Sequence, residues 1–316
     1  MSMVTRAEIR DAARRVAPYV RRTPALDLEP GAFGVEARLT LKLELLQHSG
    51  SFKARGAFNR ILSARTLPPS GVIAASGGNH GAAVAFAARR LGYRAEIFVP
   101  EICPPTKVAR LRGYGAEVTQ VGAVYDEAFT ACRARAAATG ALLVHAYNQP
   151  EVVAGQGTVG WEFAWQSPDL DTVLVAVGGG GLIAGMAAWY AGAVRVIGVE
   201  PERAPTLARA LAAGEPVDVA VGGIAVDSLG AGRVGEIAFA IARQHVDRVV
   251  LVSDEQIGAA QHALWETARV ASEPGGAAAL AAILGGAYRP APDERVGVLV
   301  CGGNVDLGQL ARARLD

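Results

Sequence analysis

The feature that most constrains this chain is an alternation. Short runs of β-branched residues, apolar at nearly every position, recur between longer alanine-rich runs. Val72–Ala75, Ala95–Val99, Ala116–Val121, Leu142–His145, Val173–Val177, Val194–Glu200, Arg248–Val252 and Val296–Cys301 read as strands. Gly81–Leu91, Thr106–Arg112, Asp126–Thr139, Leu182–Tyr190, Asp254–Ala271 and Pro274–Leu284 read as helices. A strand apolar on both faces has to be covered on both, which parallel strands joined by helical crossovers achieve. The expected class is α/β. Leu67-Pro68-Pro69-Ser70-Gly71 and Asn148-Gln149-Pro150 break the rhythm and bracket about four strand–helix units. Residues 70–148 are therefore expected to form a small α/β domain inserted into a larger one built from 1–69 and 149–316.

Composition narrows the class of function. The chain has 316 residues, 51% hydrophobic and 19% charged, enough to bury a sizeable core and too apolar for general disorder. Its net charge is +1, so no basic field exists to recruit nucleic acid. No uncharged apolar run approaches the roughly 18 residues of a membrane span, and the N-terminus MSMVTRAEIRDAARRV lacks an apolar signal core. Cys103, Cys132 and Cys301 are odd in number and form no CxxC pair, which argues against a disulfide framework or structural zinc. A reducing, cytoplasmic setting is expected.

Four glycine-framed stretches carry the chemistry. In Gly50-Ser51-Phe52-Lys53-Ala54-Arg55-Gly56-Ala57, a lysine follows a Gly-Ser turn and opens a helical run. Lysines are scarce here (Lys42, Lys53 and Lys107 against 28 arginines), so arginine serves where only charge is needed. A retained lysine suggests what guanidinium cannot do: become a neutral amine and form a Schiff base. A surface lysine is the plainer alternative. Ser76-Gly77-Gly78-Asn79-His80-Gly81 lies between a strand and a helix, where amides and the helix dipole suit a carboxylate. An ordinary turn capped by Asn79 is the alternative. Val177-Gly178-Gly179-Gly180-Gly181-Leu182 is likewise placed and suits a phosphate. Val300-Cys301-Gly302-Gly303-Asn304 ends the last strand, where a core thiol or one facing a ligand crevice both fit.

Taken in order, these stretches resemble the fold-type-II pyridoxal-phosphate enzymes, and within them the serine/threonine dehydratase and serine racemase branch. The resemblance runs from Arg22-Thr23-Pro24 and Lys42–Gln47 through Gly155–Thr158, Gly223–Gly230 and Ser272–Ala277 to the final CGGN. It implies two open, mostly parallel twisted sheets with helices on both faces, the larger domain holding pyridoxal 5'-phosphate. It implies that Lys53 is the Schiff-base lysine with Phe52 beside the pyridine ring, and that Asn79 bonds the cofactor's 3-hydroxyl. Gly178, Gly179, Gly180, Gly181 and Leu182 resemble the phosphate cradle. The resemblance also implies that Glu273 approaches the active site and that Cys301 faces the pyridine nitrogen. Ser76, Gly77, Asn79 and His80 resemble the loop holding the substrate carboxylate. A homodimer is expected.

A thiol at position 301 leaves the pyridine nitrogen largely neutral, which favours prompt loss of a β-leaving group over transamination. The expected reaction is elimination of water from L-threonine or L-serine, giving a 2-oxo acid and ammonia. Racemases of this branch have a second serine where this chain has Gly77, which has no proton to give. A cation site in this branch uses a glutamate and an aspartate six residues later; Glu200 fits, but position 206 is Thr206, so no metal is expected. The chain stops soon after Asn304, and no C-terminal regulatory domain is expected. The alternatives are a racemase, a dehydratase of 3-hydroxyaspartate or phenylserine, a β-replacement synthase, an inactive ligand binder and a nucleotide binder.

Overall fold

The structure is a computed structural model and describes residues 3–306 and 308. Helix α1 (Arg6–Val16) opens on a capping box in which Thr5 and Glu8 exchange side-chain and backbone bonds. Strands β1 (Ala25–Asp27) and β2 (Arg38–Leu43) then lead through two short turns to α2 (Lys53–Leu62). The next stretch alternates β3 (Val72–Ala75), α3 (Asn79–Arg90), β4 (Ala95–Val99), α4 (Pro105–Gly113), β5 (Glu117–Gln120), α5 (Tyr125–Thr139) and β6 (Leu142–Leu143). Helix α6 (Pro150–Gln166), β7 (Thr172–Ala176), α7 (Gly181–Tyr190), β8 (Arg195–Pro201), α8 (Thr206–Ala213), α9 (Val226–Leu229) and α10 (Glu236–His245) follow. Strand β9 (Arg248–Val252), α11 (Asp254–Ala268), α12 (Pro274–Leu284) and β10 (Arg295–Val300) complete the described chain.

These strands form two sheets. One has six strands in the order β1-β2-β10-β7-β8-β9, parallel except for β1; the other has four parallel strands in the order β5-β4-β3-β6. The period of two shows in β3, where Val72 and Ala74 face one apolar core and Ile73 and Ala75 face another. Residues of α1 and α2, including Val16, Phe58 and Ile61, share the core that covers β3 and β4. Helix α12 is buried on every side against the larger sheet, as its Ala-rich sequence suggests.

Strands β1 and β2 and helices α6, α8, α9 and α10 lie outside the sequence expectation, and two of them show why. Strand β2 carries Arg38 and Lys42 within an apolar run, and Lys42 is nevertheless completely buried. Helix α6 contains Gly155, Gly157 and Gly160, which lower helix propensity. Close packing explains the first two of these glycines. A Cβ on Gly155 would lie 2.7 Å from the Gly56 Cα of α2, and one on Gly157 would lie 2.9 Å from the Gly185 carbonyl of α7. Helix-on-helix contact outweighs local preference there.

The topology places the site. Strands β2, β10 and β7 are consecutive neighbours in the larger sheet. Chain leaving the carboxyl end of β2 reaches Lys53, β10 runs into Cys301, and β7 runs into Gly178. Strand β3 of the smaller sheet runs into Ser76. The carboxyl ends of parallel strands are where open α/β sheets bind ligands.

Candidate active site

Lys53 is the first residue of α2, and its Nζ donates to the Ala146 carbonyl at 2.9 Å. The amine lies inside the protein. Burial lowers its pKa to about 8, although Cys301 and Glu273 pull the other way. A small inner cavity of about 30 Å³ brings Lys53 together with Phe52, Asn79, Gly178–Gly181, Leu182, Glu273 and Cys301. It opens towards a cleft of about 820 Å³ whose wall includes Ser76, Gly77, Asn79 and His80. Every residue to which the family resemblance gives a cofactor or substrate role therefore lines one of two adjoining spaces.

The tetraglycine turn is open to an anion. Among the described residues, no protein acceptor takes the amides of Gly178, Gly179, Gly180, Gly181, Leu182 or Ile183. Gly180 takes φ +87° as the N-cap of α7, and Gly181, Leu182 and Ile183, whose amides have no intrahelical partner, line the inner cavity. A Cβ on Gly179 would overlap the Tyr147 ring, and one on Gly178 would come within 3.0 Å of Leu229 Cα. Side chains here would fill the cradle.

The turn after β3 is a second nest of this kind. Gly78 N donates to Ser76 Oγ at 3.1 Å, while the amides of Gly77, Asn79, His80 and Gly81 have no protein acceptor among the described residues. His80 bonds the Val144 carbonyl through Nε2 at 2.9 Å, and burial holds its pKa at about 3. The neutral ring then has no N–H left for an anion, so His80 offers its backbone amide instead.

Burial also shifts the remaining groups towards their neutral forms. Burial pushes Glu273 up to about 7, against opposing pulls from its bond with Asn79 and from Arg110. Cys301 donates to the Gly275 carbonyl at 3.4 Å, and burial together with Glu273 pushes its thiol far above the ordinary range. His145, lowered to about 4 by burial and by Lys53, accepts the amides of Tyr147 and Asn148 on Nδ1. That bond holds the turn carrying the Ala146 carbonyl. Glu200 accepts the amides of Leu207 and Ala208 at 2.7 and 2.9 Å, so its carboxylate closes the start of α8. No group of three His, Cys, Asp or Glu side chains arranged for a metal occurs among the described residues. Nor, among the described residues, is any helix long and apolar enough to cross a membrane.

Sequence reasoning assigned no role to Tyr147, Ser228, Leu229 or Asn304. Ser228 and Leu229 belong to a stretch that carries the family resemblance, and Tyr147 precedes the Asn148–Pro150 break. Their placement depends on tertiary packing. At the cleft mouth, Lys107 of α4 pairs with Asp227 of α9 at 2.8 Å.

An amine flanked by two nests of free amides, at the carboxyl ends of parallel strands, defines an α/β protein built to hold anionic ligands against a lysine. Residues 16–302 match the family model described as pyridoxal-phosphate dependent enzyme. The chain belongs to that family, and its cofactor is pyridoxal phosphate. It is 36% identical over 314 residues to an L-threonine ammonia-lyase of Thermotoga maritima, covering 98% of this chain and 78% of that one. A phenylserine dehydratase of Ralstonia pickettii is 38% identical over 302 residues, covering 94% of this chain and 92% of the relative. The solved structure of maize serine racemase superposes with a TM-score of 0.92 at 36% identity, covering 99% of this chain and 98% of that one. The open amides of Gly178–Ile183, the glycine cradle and the enclosed Lys53 amine fit a phosphate-bearing aldehyde cofactor.

Proposed function

We propose that this protein eliminates water from L-threonine or L-serine, releasing a 2-oxo acid and ammonia. The observation that carries the reading is the Lys53 amine, lowered to about 8 by burial, on a residue that lines both the space walled by Gly178–Gly181 and the cleft walled by Ser76–His80. When bound, the cofactor ties up the substrate's amino group and withdraws electrons from Cα, which acidifies the α-proton. The amides of Gly77, Asn79, His80 and Gly81 hold the substrate carboxylate, and those of Gly178–Ile183 hold the cofactor phosphate. Lys53 Nζ takes the α-proton as general base. The C–O bond at Cβ breaks and the hydroxyl leaves as water, taking up the proton that Lys53 removed from Cα. The released enamine tautomerises and takes up water, freeing ammonia. Cys301, a thiol bonded to a carbonyl, places no negative charge beside the ring nitrogen. This supports elimination over routes that need a long-lived carbanion.

Racemisation is the less favoured reading because Gly77 has no proton to return to the opposite face. A Cβ there would lie 2.8 Å from Cys103 Sγ, so a serine would require that thiol to move. The test is release of 2-oxo acid and ammonia from threonine, serine, phenylserine and 3-hydroxyaspartate. Product from threonine or serine is expected. No product from any of the four, in protein carrying its cofactor, would end the proposal.

The lowered lysine makes a separate prediction about pH. Only the neutral amine attacks an aldehyde, so capture of pyridoxal phosphate by the apoprotein depends on deprotonated Lys53. Its folded pKa is about 8 against an ordinary 10.5. Capture should slow about tenfold per pH unit as pH falls below that value, and level off above it. Rates followed by cofactor absorbance should therefore be flat by about pH 9.5. A rate still climbing tenfold per unit there would show an unperturbed amine.

A further inference from the structure

A chain of side-chain amides runs behind Asn79, and two glycines make space for it. Beyond β10 the backbone pairs with the Gly50 turn: Phe52 N donates to the Cys301 carbonyl at 3.1 Å, and Gly303 N to the Gly50 carbonyl at 2.9 Å. This pairing fixes the backbone that carries Asn304. Asn304 Nδ2 donates to the Ser49 carbonyl at 2.9 Å and to Asn79 Oδ1 at 2.6 Å. Asn79 Nδ2 in turn donates to Glu273 Oε1 at 2.5 Å.

Gly50 and Gly302 have no room for side chains. A Cβ on Gly50 would overlap Asn304 Oδ1, and one on Gly302 would overlap Glu273 Oε1. Gly50 also takes φ +77°, which disfavours any other residue.

The direction of the chain follows from its first member. A backbone carbonyl accepts and never donates, so Asn304 must turn its NH2 towards Ser49. Its second N–H then meets Asn79, which must answer with oxygen. The Asn79 NH2 is thereby forced to the other side, with one N–H committed to Glu273 and the other free at the cavity wall that Asn79 lines. Without this chain an amide presents oxygen or nitrogen with little preference.

We propose that Asn304 is a positioning residue that locks the Asn79 amide, so that an N–H and not a carbonyl faces the anionic ring oxygen of the bound cofactor. The proposal rests on the reading that Asn79 meets that oxygen. The carboxylate of an Asn304→Asp variant has no N–H to offer, so Asn79 swings its NH2 towards it and shows oxygen to the cofactor.

The test uses holoenzyme and apoprotein with Asn304→Asp and Asn304→Ala, each made in the native chain and in an Asn79→Ala background. A hydrogen bond to a charged oxygen is worth about tenfold or more in binding. In the native background, N304D should raise the dissociation constant for pyridoxal phosphate about tenfold. It should also shift the pH midpoint of the bound cofactor's visible band, and N304A should do both to a smaller extent. In the Asn79→Ala background neither substitution should change either quantity, because the group they orient is gone. Should N304D not fold, N304A in the two backgrounds answers the same question. Equal effects in both backgrounds would overturn the proposal, because a merely structural role is indifferent to Asn79. Unchanged affinity and midpoint in the native background would overturn it as well. All variants keep Lys53, so borohydride should fix the cofactor to that lysine throughout. Failure of fixation in the native enzyme would instead overturn the site reading itself, and this proposal with it.

Discussion

Lys53→Ala should abolish turnover and covalent retention of the cofactor together. The amine has two tasks in the proposed reaction: it holds the aldehyde between turnovers, and it removes the α-proton once displaced. Loss of a positioned general base alone costs on the order of 10²–10⁴-fold. Lys53→Arg sharpens the test. Guanidinium keeps the positive charge but stays protonated at any working pH, so it is neither nucleophile nor base. The arginine variant should be as inactive as the alanine one. If charge near the ring were the contribution of position 53, arginine would retain most of the rate. Both variants should still bind pyridoxal phosphate reversibly, because the amides of Gly178–Ile183 belong to the backbone. Activity within tenfold of the native enzyme in either variant would remove Lys53 from the chemistry.

The two glycine turns that line the cavities were legible in the sequence because they sit where strands end. A glycine run after an apolar strand marks a turn in which the backbone itself can bind an anion, and the amides of Gly178–Gly181 and of Gly77, Asn79, His80 and Gly81 have no protein acceptor among the described residues. What the sequence concealed depends on long-range contact. Helix α6 is masked by glycines whose purpose is visible only when α2 and α7 lie against them. Asn304 looks like an ordinary residue after a strand until Ser49 and Asn79 converge on it from distant segments. His80 shows a third kind of gap. Its position in the motif suggests a side-chain donor, but the Val144 carbonyl from a neighbouring strand end claims that N–H.

The second large effect is on stability, and it concerns Arg55, two residues after Lys53 on the same helix. Arg55 is 1% exposed and donates to both oxygens of Glu44, at 2.8 and 2.7 Å, and to Glu162 Oε2 at 3.1 Å. Lys42, also fully buried, donates to Glu162 at 2.5 Å, to Gln166 at 2.7 Å and to the Thr23 carbonyl at 2.8 Å. Two cations thus face two carboxylates, and the cluster is neutral as a whole. Burial by itself would raise the Glu44 carboxyl, but Arg55 and Lys42 outweigh it and hold it below the usual carboxylate range. By linkage, Glu44 contributes stability that is fully present above its ordinary 4.5 and is lost as pH falls through its lower folded value. Arg55→Met leaves Glu44 buried without its bidentate partner and should cost about 3–5 kcal/mol, read from the urea midpoint of the apoprotein. The penalty comes from the stranded carboxylate. Removing it too, in Arg55→Met with Glu44→Leu, should therefore restore part of the loss, because matched removal is often near neutral. A single variant within about 1 kcal/mol of native would mean that water reaches Glu44 and relieves it. Since α2 begins at Lys53, the same cluster anchors the helix that aims the amine. The single variant should also lower affinity for pyridoxal phosphate under conditions where it remains folded.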